Sequence, residues 1–320
     1  MPAEDARRAG NVPPASGPTT GAGKFGRANE PARQPADLPA ILQGMFEEVR
    51  GYLLNEGGAK GERVGTNPKG EATRAFDAEA EQRALAYARA HLPPFRVLSE
   101  ESGEVRFGDG PPQYTLVIDP CDGSNNFRRG LRAVGFAIAV FPGHISALDP
   151  ALATYAFVGD IFSGSVYTAA RGGGAYLDGR PIHSSAITEL RRAMLSINFG
   201  RVHVPTNPGD VDDPRQSPLP ETVWRLVSQI STVRRIGATT LDLCYVAQGA
   251  FEGYVDLRSR LTPENFLAPA LIIEEAGGCF VNEHGQPPGP VQFTTGYRVV
   301  AAGNRTLLDQ VLQQLEAKDA

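Results

Sequence analysis

Helix-like and strand-like hydrophobic periods are interspersed from Leu38 onward, and that mixture restricts the architecture of this 320-residue chain more than any other feature. Leu38, Ile41, Leu42, Met45, Phe46, Val49 and Leu53 fall at helical spacing, with Asp37 placed to cap them. A second helix is expected over 77–91, ahead of Pro93-Pro94. The period then changes. Strands are expected at 114–119, 133–141, 152–158 and 165–169, bounded by Gly, Pro and Asp. Asp178-Gly179 predicts a hairpin turn within 174–181. Further on, the pattern predicts a strand at 194–198, helices at 221–231 and 239–249, and a strand at 251–257. A helix at 263–276, a strand at 299–302 and a helix after Asn304 complete it. Strands mixed with helices in this way pack as sheets covered by helices, not as a bundle or an all-β sandwich.

Two segments stand apart. Residues 1–37 hold six Pro, five Gly and a single aromatic, Phe25. Such a segment cannot bury enough apolar area to offset its ordering entropy and is expected to be a disordered tail. Its Gly21-Ala22-Gly23-Lys24-Phe25-Gly26 matches the dinucleotide fingerprint in letters only, because no strand precedes it. Residues 201–222 hold five Pro and the acidic group Asp210, Asp212 and Asp213. They are expected to form a solvated connection between an N-terminal α+β half, 38–200, and a C-terminal α/β half, 223–320.

Composition excludes several classes of function. A net charge of −5 is unsuited to nucleic acid, which needs a clustered Lys/Arg surplus. No apolar run reaches the roughly 18 residues of a membrane span, and the N-terminus lacks the apolar core of a secretory signal. Three Cys (Cys121, Cys244 and Cys279) make a disulfide framework an unsuitable reading and point to a reducing, cytoplasmic setting. The five His are scattered, with no HExxH pair and no zinc spacing, and there is no GxSxG elbow. Carboxylate chemistry is left.

Its densest source is Val117-Ile118-Asp119-Pro120-Cys121-Asp122-Gly123-Ser124-Asn125-Asn126-Phe127. An apolar strand ends in two carboxylates, Asp119 and Asp122, followed by residues whose amides open a turn or short helix. Hard divalent cations take several oxygens, which two Asp and the Cys121 carbonyl can supply. Free amides at a helix start favour phosphate. The same residues also form ordinary turns between strands. Leu98-Ser99-Glu100-Glu101-Ser102 places paired carboxylates at another strand end, which alone reads as a solvated loop. Asp77 lies at a helix start, where alone it reads as an N-cap.

Together these segments resemble the inositol monophosphatase superfamily of magnesium-dependent, lithium-sensitive sugar phosphatases. The resemblance is to the archaeal-type branch, where inositol monophosphatase and fructose-1,6-bisphosphatase activities overlap. Asp119-Pro120-Cys121-Asp122-Gly123-Ser124 matches the family signature D-P-x-D-G-[TS], and Ser99-Glu100-Glu101-Ser102 matches its G-E-E motif with Ser for Gly. The segments 241–247 and 268–278 match two later family helices, so the likeness runs over about 40–316. It implies an α+β fold, a layered αβαβα sandwich of the inositol monophosphatase/fructose bisphosphatase type. It implies two or three Mg²⁺ held by Glu100, Asp119, the Cys121 carbonyl and Asp122, with inhibition by lithium. It further implies a water oriented by Ser124 with Asp77, phosphate held by the amides of Gly123 and Ser124 with Asn125 beside them, and a homodimer acting on a small phosphorylated substrate. The carboxylates of Glu100, Asp119 and Asp122 are then expected to converge on one point. Cys121 contributes only backbone, and Cys244 and Cys279 read as core residues.

One position departs from the family. Its W-D motif, whose Asp binds a second metal, reads Glu264-Asn265 here. Asn265 still offers a carbonyl oxygen but removes a charge; the adjacent Glu264 could substitute for it, though on a helix it points about 100° away. Arg258 stands where the bisphosphatase-like branch carries Arg, which favours a second anionic group on the substrate; alone it reads as a surface Arg. The expected function is a Mg²⁺-dependent phosphomonoesterase using a metal-activated water. The alternative is a non-catalytic metal- or phosphate-binding regulator of the same fold, impaired at Asn265.

Overall fold

The computed structural model of the chain describes residues 37–59, 61–70, 72–199 and 220–316. The expected N-terminal tail up to residue 36 and nearly all of the expected 201–222 connection lie outside these residues. α1 (Leu38–Asn55) leads into a hairpin, β1 (Arg63–Thr66) and β2 (Ala72–Arg74), and then α2 (Ala75–His91). β3 (Phe95–Ser99), β4 (Gly103–Phe107) and β5 (Tyr114–Asp122) follow, and β5 runs into the short α3 (Ser124–Arg128). β6 (Gly135–Pro142), β7 (Tyr155–Asp160), β8 (Val166–Ala170), β9 (Gly174–Leu177) and β10 (Arg180–Pro181) complete an eight-stranded sheet of order β10-β9-β8-β7-β6-β5-β3-β4. Only its β3–β5 pair is parallel.

The remaining elements are β11 (Met194–Asn198), α4 (Pro220–Gln229), β12 (Thr232–Arg234), α5 (Thr239–Ala247) and β13 (Gly253–Leu261). α6 (Pro263–Glu275), β14 (Cys279–Asn282), β15 (Tyr297–Ala302) and α7 (Arg305–Glu316) end the described chain. Their strands form a mixed five-stranded sheet of order β12-β11-β13-β15-β14.

Period-two alternation sends successive side chains into different cores. On β6, Phe136, Ile138 and Val140 face the core shared with α1 and α2, whereas Ala137, Ala139 and Phe141 face α5 and α6. On β15, Val299 and Ala301 face that same central helix layer, and Val300 and Ala302 face the core that contains α7. The result is five layers in the order α, β, α, β, α, as the α+β sandwich reading expected. α6 lies between two sheets and is therefore buried nearly all round, from Phe266 to Ile273.

Local chemistry explains where the sequence pattern holds and where it does not. Asp178 and Gly179 both take positive φ, 48° and 74°, as a two-residue type I′ turn between β9 and β10 requires. Asp37 does not cap α1 through its side chain; its backbone is already α-helical in conformation, and Pro39 behind it has no N–H to give. Asp77 is not an N-cap either: Arg74 holds that place, and Asp77 falls in the first turn. The β1–β2 hairpin left no apolar signal because every residue of β1 is exposed. Cys244 is buried as expected, but Cys279, on the outer strand β14, is only half-buried. Among the described residues no helix is long and apolar enough to cross a membrane.

Candidate active site

The site begins at an irregularity in β5. Asp119 pairs with Ala137 and Asp122 with Gly135, so an interval of three residues on β5 faces one of two on β6. Pro120, which has no N–H for the ladder, lies in this bulge. Residues two apart in register share a face, so the bulge turns Asp119 and Asp122 the same way despite their odd separation. Gly123 then takes φ 101°, and a Cβ there would also stand 2.9 Å from the Ala133 carbonyl. Only glycine makes this turn without strain. α3 starts at once, and its first amides have no helical acceptors.

Asp77, Glu100, Asp119, Cys121, Asp122, Gly123, Ser124, Asn125, Arg258 and Asn265 all line one cavity of about 510 Å³. They come from α2, the end of β3, β5, α3, β13 and α6, so elements of both sheets meet there. Ser124 Oγ donates to Asp77 Oδ1 at 2.9 Å and lies 3.1 Å from the Cys121 carbonyl. Burial pushes the Asp77 carboxyl up to about 7, while the Ser124 hydrogen bond acts in the opposite direction. The Cys121 thiol is buried and driven well above its usual range by burial and then by Asp77 and Asp119, which leaves it inert.

The acidic wall is held by protein donors. Asp119 Oδ1 accepts from the Cys121 amide at 2.9 Å and Oδ2 from Asn265 Nδ2 at 2.7 Å. Asp122 Oδ2 accepts from the Thr240 amide at 2.6 Å and Thr240 Oγ1 at 2.7 Å. Burial first, and then the charge of Asp119, holds Glu100 well above the usual carboxylate range; burial and Asp122 do the same to Asp119. Asp122 is lifted by burial to about 6 although the Thr240 bonds oppose it.

Among the described residues, no three His, Cys, Asp or Glu side chains stand as a ready ligand group for one ion. The expected convergence of Glu100, Asp119 and Asp122 on one point is therefore not present as a formed metal cage. The physical reason is the set of protein partners onto which Asp119 and Asp122 are turned. The donor chemistry nevertheless suits a hard cation. It consists of oxygens, crowded closely enough to repel one another, with a buried Glu264 Oε2 that has no hydrogen-bond partner.

Several residues that shape the site carried no sequence signal. Glu81 on α2 accepts from Ser99 Oγ at 2.5 Å and the Glu101 amide at 2.9 Å, which fixes the segment bearing Glu100. Asp256, fully buried, takes the Arg258 guanidinium through Nε and Nη2 at 2.5–3.1 Å. Arg258 thus reaches the cavity as one half of an ion pair. Arg74, Arg128, Arg235 and Arg260 line the same cavity. Glu264, which the sequence did mark, is buried and bonds to Lys69 and Thr262.

Thr240 is fully buried and supplies both bonds that aim Asp122. Thr240→Val keeps the shape and the amide donor but removes the hydroxyl. We expect about a 10–100-fold loss of phosphate release, the range for an outer partner of a ligand, with the unfolding midpoint changed little. An unaltered rate in the purified variant would show that Asp122 needs no such aiming.

The sequence profile of the inositol monophosphatase family matches residues 39–320. The fructose-1,6-bisphosphatase/inositol-1-monophosphatase of Methanothermobacter thermautotrophicus is 31% identical over 267 residues, 80% of this chain and 88% of that protein. The Nus factor SuhB of Pseudomonas aeruginosa is 32% identical over 202 residues, 63% of this chain and 69% of that protein. In three dimensions the chain is similar to the extragenic suppressor protein SuhB from Bartonella henselae. That likeness has a TM-score of 0.72 at 21% identity and covers 88% of this chain and 99% of the other.

Proposed function

Because the chain belongs to the inositol monophosphatase family and is a phosphatase of phosphate monoesters, we propose that it acts with Mg²⁺ on small phosphorylated polyols or sugars. Fructose 1,6-bisphosphate and inositol 1-phosphate are the leading substrates. The observation that carries this reading is the lining of one cavity, where the carboxylates of Asp77, Glu100, Glu101, Asp119 and Asp122 share the walls with five arginines. A cavity with an acidic cation-binding part and several guanidinium groups suits a substrate with a phosphate to cleave and a second anionic group to hold.

In this reading Glu100, Asp119, Asp122, the Cys121 carbonyl and Asn265 would hold the ions. Bound Mg²⁺ would neutralise charge on the phosphate and lower the pKa of water, and lithium would compete for the same oxygens. Asp77, to which Ser124 Oγ donates, would orient the attacking water together with Ser124 and take its proton. The Gly123 and Ser124 amides, with Asn125 beside them, take phosphate oxygens. Arg258, held in place by Asp256, and its neighbouring arginines bind the second anionic group.

The regulator reading draws on one observation: Asn265 offers Asp119 an N–H where the family carries a carboxylate. The test is release of inorganic phosphate from a panel of fructose 1,6-bisphosphate, inositol 1-phosphate, glycerol 2-phosphate, histidinol phosphate and a nucleotide bisphosphate, with Mg²⁺ or with EDTA. We expect release only with Mg²⁺ and the highest kcat/KM for a substrate carrying two anionic groups. Preference for the monophosphates would contradict the role given to the arginines. No release from any compound would favour the regulator.

A further inference from the structure

Lys69 sits at the turn of the β1–β2 hairpin, where its amide donates to Asn67 Oδ1 at 3.1 Å and Gly70, at φ 86°, closes the bend. Its side chain is only 7% exposed, which is unusual for lysine. The ammonium bonds to Glu264 Oε1, lies 3.2 Å from Thr262 Oγ1 and stands 5.0 Å from the centre of the Phe293 ring. Glu264 is 2% exposed and its second carboxylate oxygen, Oε2, has no hydrogen-bond partner. Burial works against the charge on Lys69, but Glu264, Glu100 and Asp119, in that order, outweigh it and hold the ammonium above its usual range. One positive charge is thus fixed among three carboxylates at the back of the cavity wall.

A carboxylate cluster in low dielectric must be balanced by cations or by protons. Glu100, Asp119, Asp122 and Glu264 repel one another here. A divalent ion bound at Glu264 Oε1 would have to displace an ammonium already bonded there and tethered by the hairpin, although Oε2 stays free. We propose that Lys69 is a built-in cation of this cluster, occupying one position that the carboxylates would otherwise give to a divalent ion. The inference rests on the metal-dependent reading above and adds to it a lower demand for free ions. It also gives the β1–β2 hairpin a purpose: its turn carries the charge to α6, 195 residues away in sequence.

The test counts ions without using activity. Purified full-length protein, stripped with EDTA, is titrated with Mn²⁺, and free Mn²⁺ is read by electron paramagnetic resonance. We expect Lys69→Met to bind one more Mn²⁺ per chain than wild type, or to tighten its weakest site at least tenfold, and Lys69→Arg to match wild type. Equal number and affinity in Lys69→Met and wild type, with Mn²⁺ bound by both, overturns the built-in cation and leaves the metal reading standing. No Mn²⁺ bound by any form overturns both. Should Lys69→Met fail to fold, wild type decides alone through labelling by an amine-reactive reagent mapped by mass spectrometry. Lys69 stays protected at saturating Mn²⁺ if it is a permanent cation. It becomes labelled if the ion displaces it, which overturns the proposal.

Discussion

Asp122→Asn is expected to lose more than about a hundredfold of Mg²⁺-dependent phosphate release, beyond the range for an outer partner, without loss of metal-free stability. The two effects separate because the carboxylate serves charge, not packing. Its Oδ2 accepts both Thr240 bonds, and an asparagine carbonyl oxygen in the same place can still accept both, though more weakly. What disappears is one negative charge from a group in which burial and repulsion already raise Glu100 and Asp119. Relief of that repulsion leaves the metal-free fold as stable or more so, whereas hard-cation affinity falls with ligand charge. Phosphate release and urea unfolding of both proteins check this together. A variant that keeps wild-type turnover would place the reacting centre elsewhere in the cavity.

The second large effect concerns pH. The metal-free protein should be more stable near pH 5 than near pH 8, the reverse of a fold held by salt-bridged carboxylates. Burial is the main cause that lifts Asp77, Asp122 and Asp242, a fully buried residue in the first turn of α5, in the folded chain: Asp77 and Asp242 to about 7 and Asp122 to about 6. In the unfolded chain such groups titrate near 3.9. Between those values the folded state binds more protons than the unfolded one, so stability falls as pH rises through the window. It is fully present below about pH 4 and lost above about pH 7. Mg²⁺ should restore about 2.7 kcal/mol at a hundred times its Kd, but only where the carboxylates are ionised. Urea unfolding at three pH values, with and without Mg²⁺, measures both slopes. Metal-free stability that rises steadily from pH 5 to pH 8 would contradict the burial of these acids.

The parts of this molecule written locally were legible in its sequence. Asp119 and Asp122 lie within one strand and its exit, so an apolar run, a Pro and a Gly were enough to mark them. The Asp178-Gly179 turn and the long apolar run of α6, 266–273, announced themselves for the same reason. The supports of the site were not legible, because their partners are distant. Glu81 acts on Ser99, 18 residues on, Thr240 on Asp122 across 118, and Lys69 on Glu264 across 195. A polar residue that meets its partner only through tertiary packing has no periodic signal. Glu264 shows the limit most clearly: helical geometry set it about 100° from Asn265 as a possible substitute ligand, but could not show that the hairpin brings a lysine to it.

The proposed hydrolysis of a phosphate ester would depend on Mg²⁺ held by the oxygens of this cavity. Its most direct test is a Mg²⁺ titration of phosphate release from fructose 1,6-bisphosphate by EDTA-stripped wild type and Asn265→Asp. Asn265 now spends its N–H on Asp119 Oδ2, and an aspartate would offer a ligand oxygen in its place. Wild type should be silent without Mg²⁺ and active with it, and Asn265→Asp should reach half its maximal rate at a lower Mg²⁺ concentration. Wild-type release that is equal with Mg²⁺ and with EDTA, or absent at every Mg²⁺ concentration while Asn265→Asp is active, would contradict it.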